Sequence, residues 1–319
     1  MKVLVLGGAG YSGSVLVREL LARGDNVTVV DNFWFGDWLG ESPHLSKIKT
    51  DISDTHMFPE GDFEAVVQLA NIANDPGVEL SPVLSWEVNV LASQHIAEWA
   101  ISRQIPQIIY ASSGSVYGVK TESSVTEDLS LVPISAYNKT KMVAERVFLS
   151  YADQIRVHLI RTATICGVSP RMRFDLTVNM LTLQAVRNGE ITVFGGKQVR
   201  PNIHIDDVVA VYMHFLDNPS LASGPYNAGF QNLTVLEVAE MLSSSTGASV
   251  IVSESNDPRS YRLDSSKLLA TGFVPSKSID DAIRELMAYI SGGADVSRPE
   301  WFTVSRMQNL GLGEKTHGN

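Results

Sequence analysis

Tyr137 and Lys141 are the residues whose types and spacing most directly indicate chemistry. They lie four positions apart in a predicted helix over Ala136–Tyr151, so both side chains share one helix face. A tyrosine titrates near pH 10 and is a weak base at neutral pH. A neighbouring positive charge favours the phenolate, which lets such a pair take a proton from a substrate hydroxyl. The pattern alone is also common on surface helices, so it needs support from other motifs.

A run of serines follows a second predicted element, the strand Gln107–Ala111. A serine just past a strand end can bind the same substrate hydroxyl and stabilise a developing alkoxide. Ser112, Ser113 and Ser115 all meet this condition, and position alone does not choose among them.

A glycine-rich turn joins a predicted strand, Lys2–Leu6, to a predicted helix, Ser12–Arg23. Its glycines fit both GxGxxG and GxxGxxG. Positions without side chains let the backbone approach a pyrophosphate at a helix N-terminus, where free N–H groups favour anions. A tight strand–helix turn is the alternative explanation of such glycines. The predicted cofactor contacts here are Gly7, Gly10, Tyr11, Ser12 and Gly13.

Asp31 ends the second predicted strand, 18 residues after Gly13. An acid at this place binds the adenosine ribose hydroxyls of a dinucleotide and repels a 2′-phosphate, so NAD is favoured over NADP. Asp51 and Ile52, after a third strand, are candidates for the adenine pocket, although an exposed turn explains Asp51 nearly as well. The other predicted cofactor contacts are Asn32, Leu69, Ala70, Asn71, Tyr137, Lys141 and Thr164.

Short apolar runs alternate with amphipathic stretches in the first half of the chain. The predicted strands are Lys2–Leu6, Asn26–Asp31, Ala65–Leu69, Gln107–Ala111 and Arg156–Ile160. The predicted helices between them are Ser12–Arg23, Pro82–Arg103 and Ala136–Tyr151. Apolar strands separated by helices predict an α/β fold with a doubly wound parallel sheet.

The second half changes character after Gly167, with helices joined by loops rich in Gly, Pro, Asn and Ser. The predicted helices are Phe174–Arg187, Ile205–Leu216, Thr234–Ser244 and Ile279–Tyr289. We expect a dinucleotide-binding domain over residues 1–166, to which 200–222 returns. Residues 167–319 are expected to form a smaller mixed α/β substrate-binding lobe, with an irregular tail after Gly292.

Composition excludes several classes of partner. The 319 residues carry a net charge of −10 and the pI is about 5.2, which argues against nucleic-acid or membrane-surface binding. Cys166 is the single cysteine, and the N-terminal apolar run is too short for a signal peptide or a membrane span. We therefore expect a cytoplasmic protein. No spacing suggests a metal site, and His204 is expected to be structural.

Together, the motifs resemble the extended short-chain dehydrogenase/reductase family of sugar-nucleotide epimerases and dehydratases. The likeness runs from Met1 to about Ile290, through the glycine turn, the Ser-Ser-x-x-Val-Tyr-Gly segment ending at Gly118, and the Tyr/Lys pair. It includes Arg-Pro-Asn-Ile-His-Ile-Asp-Asp-Val from Arg200. The resemblance implies a Rossmann-type domain, NAD as cofactor, Ser113 as the catalytic serine, and a homodimer formed through paired helices.

The resemblance also implies substrate contacts. Arg200 is expected to bind the diphosphate of a nucleotide sugar, with Arg259 or Arg262 as the second arginine and a solvated loop charge as the alternative for each. Asn179 is expected at the sugar-phosphate region. Phe194 is expected beside the nucleobase, with core packing as its alternative.

Departures from the family pattern favour oxidation at C4 alone. The 4,6-dehydratases place an Asp-Glu pair after the catalytic residue, where this chain has Gly114 and Ser115. The resulting hypothesis is a nucleotide-sugar 4-epimerase that works through a 4-keto intermediate. A net 4-dehydrogenase or 4-ketoreductase is the first alternative, since two segments, from Gly167 and from Asp257, resemble the bacterial GDP-heptose branch. A non-catalytic NAD sensor is the second.

Overall fold

The structure, a computed structural model, describes residues 1–254 and 260–312. Its strands, in chain order, are β1 (Lys2–Leu6), β2 (Asn26–Asp31), β3 (Leu45–Lys49), β4 (Ala65–Gln68), β5 (Gln107–Ser113), β6 (Arg156–Thr162), β7 (Thr164–Cys166), β8 (Glu190–Phe194), β9 (Val199–His204), β10 (Gly224–Ala228), β11 (Gln231–Thr234) and β12 (Ser249–Ser253). Seven of them form the central sheet, in the order β10-β6-β5-β4-β1-β2-β3.

Helices lie on both faces of this sheet. They are α1 (Tyr11–Arg23), α2 (Asp75–Leu80), α3 (Pro82–Trp86), α4 (Ala92–Ser102), α5 (Ala136–Leu149), α6 (Thr177–Asn188), α7 (Ile205–Asp217), α8 (Val235–Thr246), α9 (Ser266–Leu269), α10 (Ile279–Ser291) and α11 (Thr303–Asn309). None of the helices in the described residues is long and apolar enough to cross a membrane.

The central sheet is parallel throughout, because each neighbouring pair of its strands runs in the same direction. Residues Val3–Leu6 of β1 are buried on both faces, which is why this strand is apolar throughout. The five predicted strands all lie in this sheet, and the Rossmann-type α/β fold is confirmed. No bounds were predicted for β3, an edge strand whose LSKIK sequence is only partly buried.

The predicted helix Pro82–Arg103 is interrupted. A wide π turn over Glu87–Leu91 separates α3 from α4 and turns the Asn89 side chain inward. The Asn89 amide accepts a hydrogen bond from the Ile72 N–H at 2.9 Å and donates to the Ile72 carbonyl and to Thr140 Oγ1. The irregular turn thus links the loop after β4 to α5.

The remaining strands form two small sheets in the C-terminal part, β11-β9-β7 and β12-β8. Strands β9 and β11 are short and largely polar, and β9 contains Pro201, so no strand pattern marked these two in the sequence. Between them in the chain, β10 pairs with β6, so residues 224–228 also return to the central sheet. The division into a 1–166 domain and a 167–319 lobe stays a prediction.

The prediction of an irregular tail after Gly292 is wrong for residues 299–309, which form a 3₁₀ turn and α11. Seven residues are too few to show a helical period, and tertiary contacts hold the segment instead. The Thr303 N–H donates to Asp175, Arg306 Nε donates to the Trp34 carbonyl, and Trp301 packs on Trp38 with ring centres 4.7 Å apart.

His158 in β6 gives the fold a testable pH dependence. Its ring is fully buried against Phe215 and Tyr226, Nε2 bonds the Leu221 carbonyl, and Nδ1 has no hydrogen-bond partner among the described residues. Burial lowers the pKa of His158 to about 4. Between this value and the ordinary 6.5, the unfolded chain binds the proton and the folded chain does not, so acid favours unfolding.

We expect the free energy of unfolding to fall with pH below 6.5 by up to about 1.4 kcal/mol per unit from this group alone. In His158→Leu that contribution disappears, although the lost ring contacts lower stability at every pH. Urea unfolding of both proteins at pH 7, 6 and 5 measures it. Parallel pH profiles for the two proteins would contradict the assignment.

Candidate cofactor and active site

A deep cleft lies at the carboxyl ends of β1, β2, β4 and β5. Its lining comes from the glycine turn, from the strand ends and from segments far along the chain. It consists of Gly7, Gly10, Tyr11, Ser12, Gly13, Asp31, Asn32, Trp34, Phe35, Thr50, Asp51, Ile52, Leu69, Ala70, Asn71, Ile72, Ala73, Val88, Ala111, Ser112, Tyr137, Lys141, Thr162, Ile165, Arg171, Arg173, Tyr212, Thr303 and Met307. The cleft therefore gathers every predicted cofactor contact except Thr164, whose neighbours Thr162 and Ile165 line it instead.

The glycine turn is packed so closely that side chains do not fit. A Cβ on Gly13 would lie 2.4 Å from the Gly7 carbonyl oxygen, and Gly7 has a φ of +81°. Gly10 precedes α1 and supplies no capping side chain, so the first N–H groups of the helix remain available to an anion. The Tyr11 hydroxyl donates to the Gly167 carbonyl at 2.7 Å and fixes the helix start to the second half of the chain.

Asp31 lies where β2 ends in the cleft. Its two carboxylate oxygens accept hydrogen bonds from the Ala9 N–H at 3.0 Å and the Phe33 N–H at 2.8 Å. Burial raises the pKa of Asp31, while these two bonds oppose the increase. Asp51 also lines the cleft, and one of its oxygens accepts bonds from Ser53.

Tyr137 begins the first turn of α5, which Ser135 caps by accepting a bond from the Asn138 N–H at 3.2 Å. Burial raises the pKa of Tyr137 to about 12. The charge of Arg173 and a hydrogen bond with Ser113 both lower this pKa. Ser113 and Arg173 therefore favour the phenolate, whereas the negative charge of Asp75 opposes it.

The three candidate serines have different partners. Ser112 Oγ donates to the buried Glu145 carboxylate at 2.5 Å. Ser115 Oγ donates to Asn138 Oδ1 at 2.6 Å and lies 2.8 Å from Ser113 Oγ. Ser113 is the serine that is hydrogen-bonded to Tyr137. Ser112, not Ser113, is among the residues that line the cleft, and the catalytic role of Ser113 stays a prediction.

Lys141 is almost fully buried one turn after Tyr137. Its Nζ donates to the Ala111 carbonyl at 2.6 Å and lies 4.7 Å from the centre of the Tyr110 ring. Burial lowers the pKa of Lys141 to about 7, so its charge is readily lost near neutral pH. The sequence pointed to Lys141 as the charge beside the phenolate, but Arg173 lowers the pKa of Tyr137 most.

Asn179 does not line the cleft. Its side chain is fully buried, with Oδ1 accepting from the Gly167 N–H and Nδ2 donating to the Tyr11 hydroxyl and the Arg173 carbonyl. Every polar atom of the amide is therefore used inside the protein. In this arrangement Asn179 holds Tyr11 and the backbone of Arg173, and the expected contact with substrate stays a prediction.

Two further predicted substrate contacts, Phe194 and Arg200, lie in the small sheets and are not part of the cleft lining. Phe194 ends β8 with 57 % of its surface exposed, so core packing does not explain it. Arg200 lies in β9 and is partly buried. Arg259 lies outside the described residues.

His204 is buried, as expected of a structural histidine, but its partners only partly match expectation. Nδ1 accepts the Asp206 N–H, and Nε2 lies 3.1 Å from Glu285, a contact the sequence did not indicate. His204, Asp206 and Glu285 are the kinds of residue that bind metals and lie close together. Lys277 Nζ lies 2.8 Å from Glu285, so a lysine already supplies positive charge there.

The sequence reasoning missed the side chains that close the cleft from outside the glycine turn and the Tyr/Lys helix. Trp34 and Phe35 are two of these side chains. Arg171, Arg173, Thr303 and Met307 had no assigned role. The paired arginines within Ser-Pro-Arg-Met-Arg were a usable signal, because two cations in a loop after a sheet strand are candidates for anion binding.

Several known proteins are similar to this chain over most of its length. The UDP-glucose 4-epimerase of Lactobacillus helveticus is 28% identical over 316 residues, covering 89% of this chain and 95% of that protein. The crystal structure of the Thermus thermophilus UDP-glucose 4-epimerase complex with NAD is 25% identical, with a TM-score of 0.82 over 92% of this chain and 100% of that one. The Bacillus cereus UDP-glucuronic acid 4-epimerase, in complex with UDP-glucuronic acid and NAD, is 25% identical, with a TM-score of 0.80 over 92% and 99%.

The predicted family and its cofactor are confirmed by these likenesses. The finer likeness to the GDP-heptose branch stays a prediction. Residues 3–229 match the NAD dependent epimerase/dehydratase family, and the chain belongs to that family of NAD-dependent enzymes.

Proposed function

We propose that this enzyme is a nucleotide-sugar 4-epimerase that oxidises C4 and then reduces the 4-keto sugar on its other face. The observation that carries the proposal is the position of Tyr137, which lines the same cleft as the glycine turn and Asp31. Its side chain is hydrogen-bonded to Ser113. The similarity of the chain to known 4-epimerases also supports this proposal.

The cleft fits NAD by the chemistry of its donors. Uncapped N–H groups at the start of α1 suit a pyrophosphate, and the Asp31 carboxylate suits the hydroxyls of a ribose. Asn32, Asp51 and Ile52 would lie around the adenosine end. When bound, NAD supplies a reversible two-electron oxidant for the sugar alcohol.

Tyr137 is proposed to take the proton of the C4 hydroxyl, while Ser113 orients that hydroxyl and stabilises the developing alkoxide. A pKa of about 12 would leave little phenolate at neutral pH, so nearby positive charge matters. Arg173 already provides such a charge, and a protonated Lys141 adds to it. The 4-keto sugar then rotates so that C4 presents its other face for reduction. Tyr137 returns the proton to the C4 oxygen in that step.

The turn after Ser113 supports chemistry confined to C4. Gly114 has no side chain, and the Ser115 hydroxyl is hydrogen-bonded to Asn138 and Ser113. Neither residue offers a carboxylic acid for elimination of water, which a dehydratase needs. A net 4-dehydrogenase or 4-ketoreductase would use the same residues but would have to exchange its cofactor after each turnover. NAD that stays bound to the enzyme through purification would therefore favour the epimerase. A non-catalytic sensor would turn over no nucleotide sugar.

For the substrate we propose a diphosphate held by Arg200 and Arg259, with Phe194 beside the base. The partly buried β9 position of Arg200 and the exposed Phe194 ring are compatible with a second subsite outside the NAD cleft. The identity of base and sugar is a question for a screen of UDP-, GDP-, CDP- and dTDP-sugars. The cytoplasmic location also stays a prediction, supported by the lone cysteine.

A homodimer is proposed from the resemblance and from exposed apolar side chains. Val83 and Trp86 on α3 expose 72 % and 39 % of their surface, and Leu91 in the π turn exposes 53 %. Three large apolar residues on one helical segment favour a buried partner surface.

Tyr137→Phe tests the chemistry. The variant keeps the ring and removes the hydroxyl, so we expect kcat to fall by roughly 10²–10⁴-fold while NAD binding stays within about twofold. Steady-state assays with the active nucleotide sugar and an NAD titration measure this. Tyr226→Phe is the matched control. Tyr226 lies in β10, and its hydroxyl donates to the Ala222 carbonyl. Full activity in Tyr137→Phe would overturn the mechanism.

The serines give a second chemical test. Ser113→Ala should lose turnover with little change in stability. Ser112→Ala should lower the melting temperature, because Glu145 loses a buried hydrogen bond, and should retain more activity.

In heavy water no deuterium should enter C6 of the sugar, and a 4-keto-6-deoxy product would show a dehydratase instead.

Asp31→Asn tests cofactor choice. A carboxylate at the ribose repels a 2′-phosphate, so the ratio of NADP to NAD dissociation constants should be large in the native enzyme and at least about tenfold smaller in the variant. Fluorescence titrations at fixed salt measure both constants. Asp51→Asn is the control, since it removes a nearby charge without changing the end of β2. Equal affinities for NAD and NADP in the native enzyme would contradict the role of Asp31.

Leu91→Glu tests the dimer. A charge in a buried apolar interface is costly, so light scattering at micromolar concentration should show a dimer for the native chain and a monomer for the variant. Val274→Glu introduces the same charge at an apolar residue 78 % exposed elsewhere and should leave the mass unchanged. A native monomer would reject the proposed assembly.

A further inference from the structure

Arg171 is a buried cation whose charge has no hydrogen-bonded acid beside it. Its surface is 3 % exposed, and Nε and Nη2 have no hydrogen-bond partner among the described residues. The guanidinium carbon lies 4.0 Å from the centre of the Phe35 ring. Stacking on a ring satisfies the flat face of a guanidinium but leaves its N–H groups, which point outward in the plane, unpaired.

Nearby acids do not provide the missing partners. Both oxygens of Asp31 accept backbone N–H groups, and Asp175 is held by two hydrogen bonds from Arg173. Burial lowers the pKa of Arg171 to about 9, and the charge of Arg173 adds to the decrease. Leaving a buried charge in this state destabilises the ligand-free protein, and an anionic ligand would remove that cost.

The position of Arg171 indicates which anion. Ser169 Oγ donates to the Tyr11 carbonyl at 2.7 Å, and the Arg171 N–H donates to Ser14 Oγ. These bonds fix the segment on the first turn of α1, and the guanidinium lines the same cleft as Gly10 and Ser12. The uncapped amides of the helix start and the unpaired guanidinium therefore face one space.

We propose that Arg171 donates hydrogen bonds to the pyrophosphate of NAD, together with the backbone amides at the start of α1. The inference rests on the proposed placement of NAD in this cleft. A planar fork of N–H groups fits two phosphate oxygens at once, and its charge is complementary to that of the diphosphate. The residues after Gly167 thereby belong to the cofactor site as well as to the substrate lobe.

Arg171→Met tests this clamp, because methionine keeps much of the packing on Phe35 and removes the charge. Dissociation constants for NAD, ADP-ribose and adenosine are measured by calorimetry on the full chain after removal of bound nucleotide. We expect those for NAD and ADP-ribose to rise about 10- to 100-fold, as for a lost charged hydrogen bond, and that for adenosine to change less than about twofold. The melting temperature of the ligand-free variant should be equal to or above that of the native protein.

Two further variants sharpen the test. Arg171→Lys keeps the positive charge but lacks the planar fork, so its dissociation constants for NAD and ADP-ribose should lie between those of the native protein and Arg171→Met. This variant also provides the test if Arg171→Met does not fold. Arg298→Met removes a cation that stacks on Trp38 outside the cleft and should leave all three constants unchanged.

Other results would overturn the clamp. Unchanged ADP-ribose binding in Arg171→Met would do so, as would an equal loss of affinity for adenosine. If the native protein itself binds no NAD, the proposed function fails instead.

Discussion

The Gly7 carbonyl lies so close to Gly13 that no side chain fits there, and the rest of the site depends on this close approach. With no room for a side chain there, β1 passes into α1 through a turn that leaves the first helical amides uncapped and directed into the cleft. Every other group in the cleft is placed relative to this helix start. Tyr11 and Ser14 bond the segment after Gly167, and Ala9 bonds Asp31.

Buried charge is the second organising feature. Glu145 on α5 and Arg161 on β6 form two hydrogen bonds in the interior, and Ser112 and Tyr117 complete their coordination. This satisfied pair holds the helix that carries Tyr137 against the strand that ends in Ser113. Arg171, by contrast, is left without such a partner in the same protein. The difference separates a charge that supports the fold from one that suits a ligand.

Local signals explain what the sequence predicted. The glycine turn, Asp31 and the Tyr137/Lys141 pair each follow from a short motif and its neighbouring strand or helix, so the parallel sheet and the cofactor cleft could be expected. The choice among the serines needed tertiary structure, because only side-chain direction shows that Ser112 turns to Glu145. The same holds for Asn179, whose amide is consumed inside the protein, and for α11, which is too short to show a period. The interruption of the long helix at Glu87–Leu91 likewise depends on what Asn89 bonds.

The placement of α11 has a consequence for how the protein is made. Thr303 and Met307 line the same cleft as Gly7 and Gly10, so the two walls are separated by nearly the whole chain. On the ribosome the seven parallel strands are complete once β10 has emerged, well before α11 is synthesised. A nascent chain at that stage has its sheet but an open cofactor cleft. Closure of the cleft by α11 therefore follows completion of the sheet during synthesis.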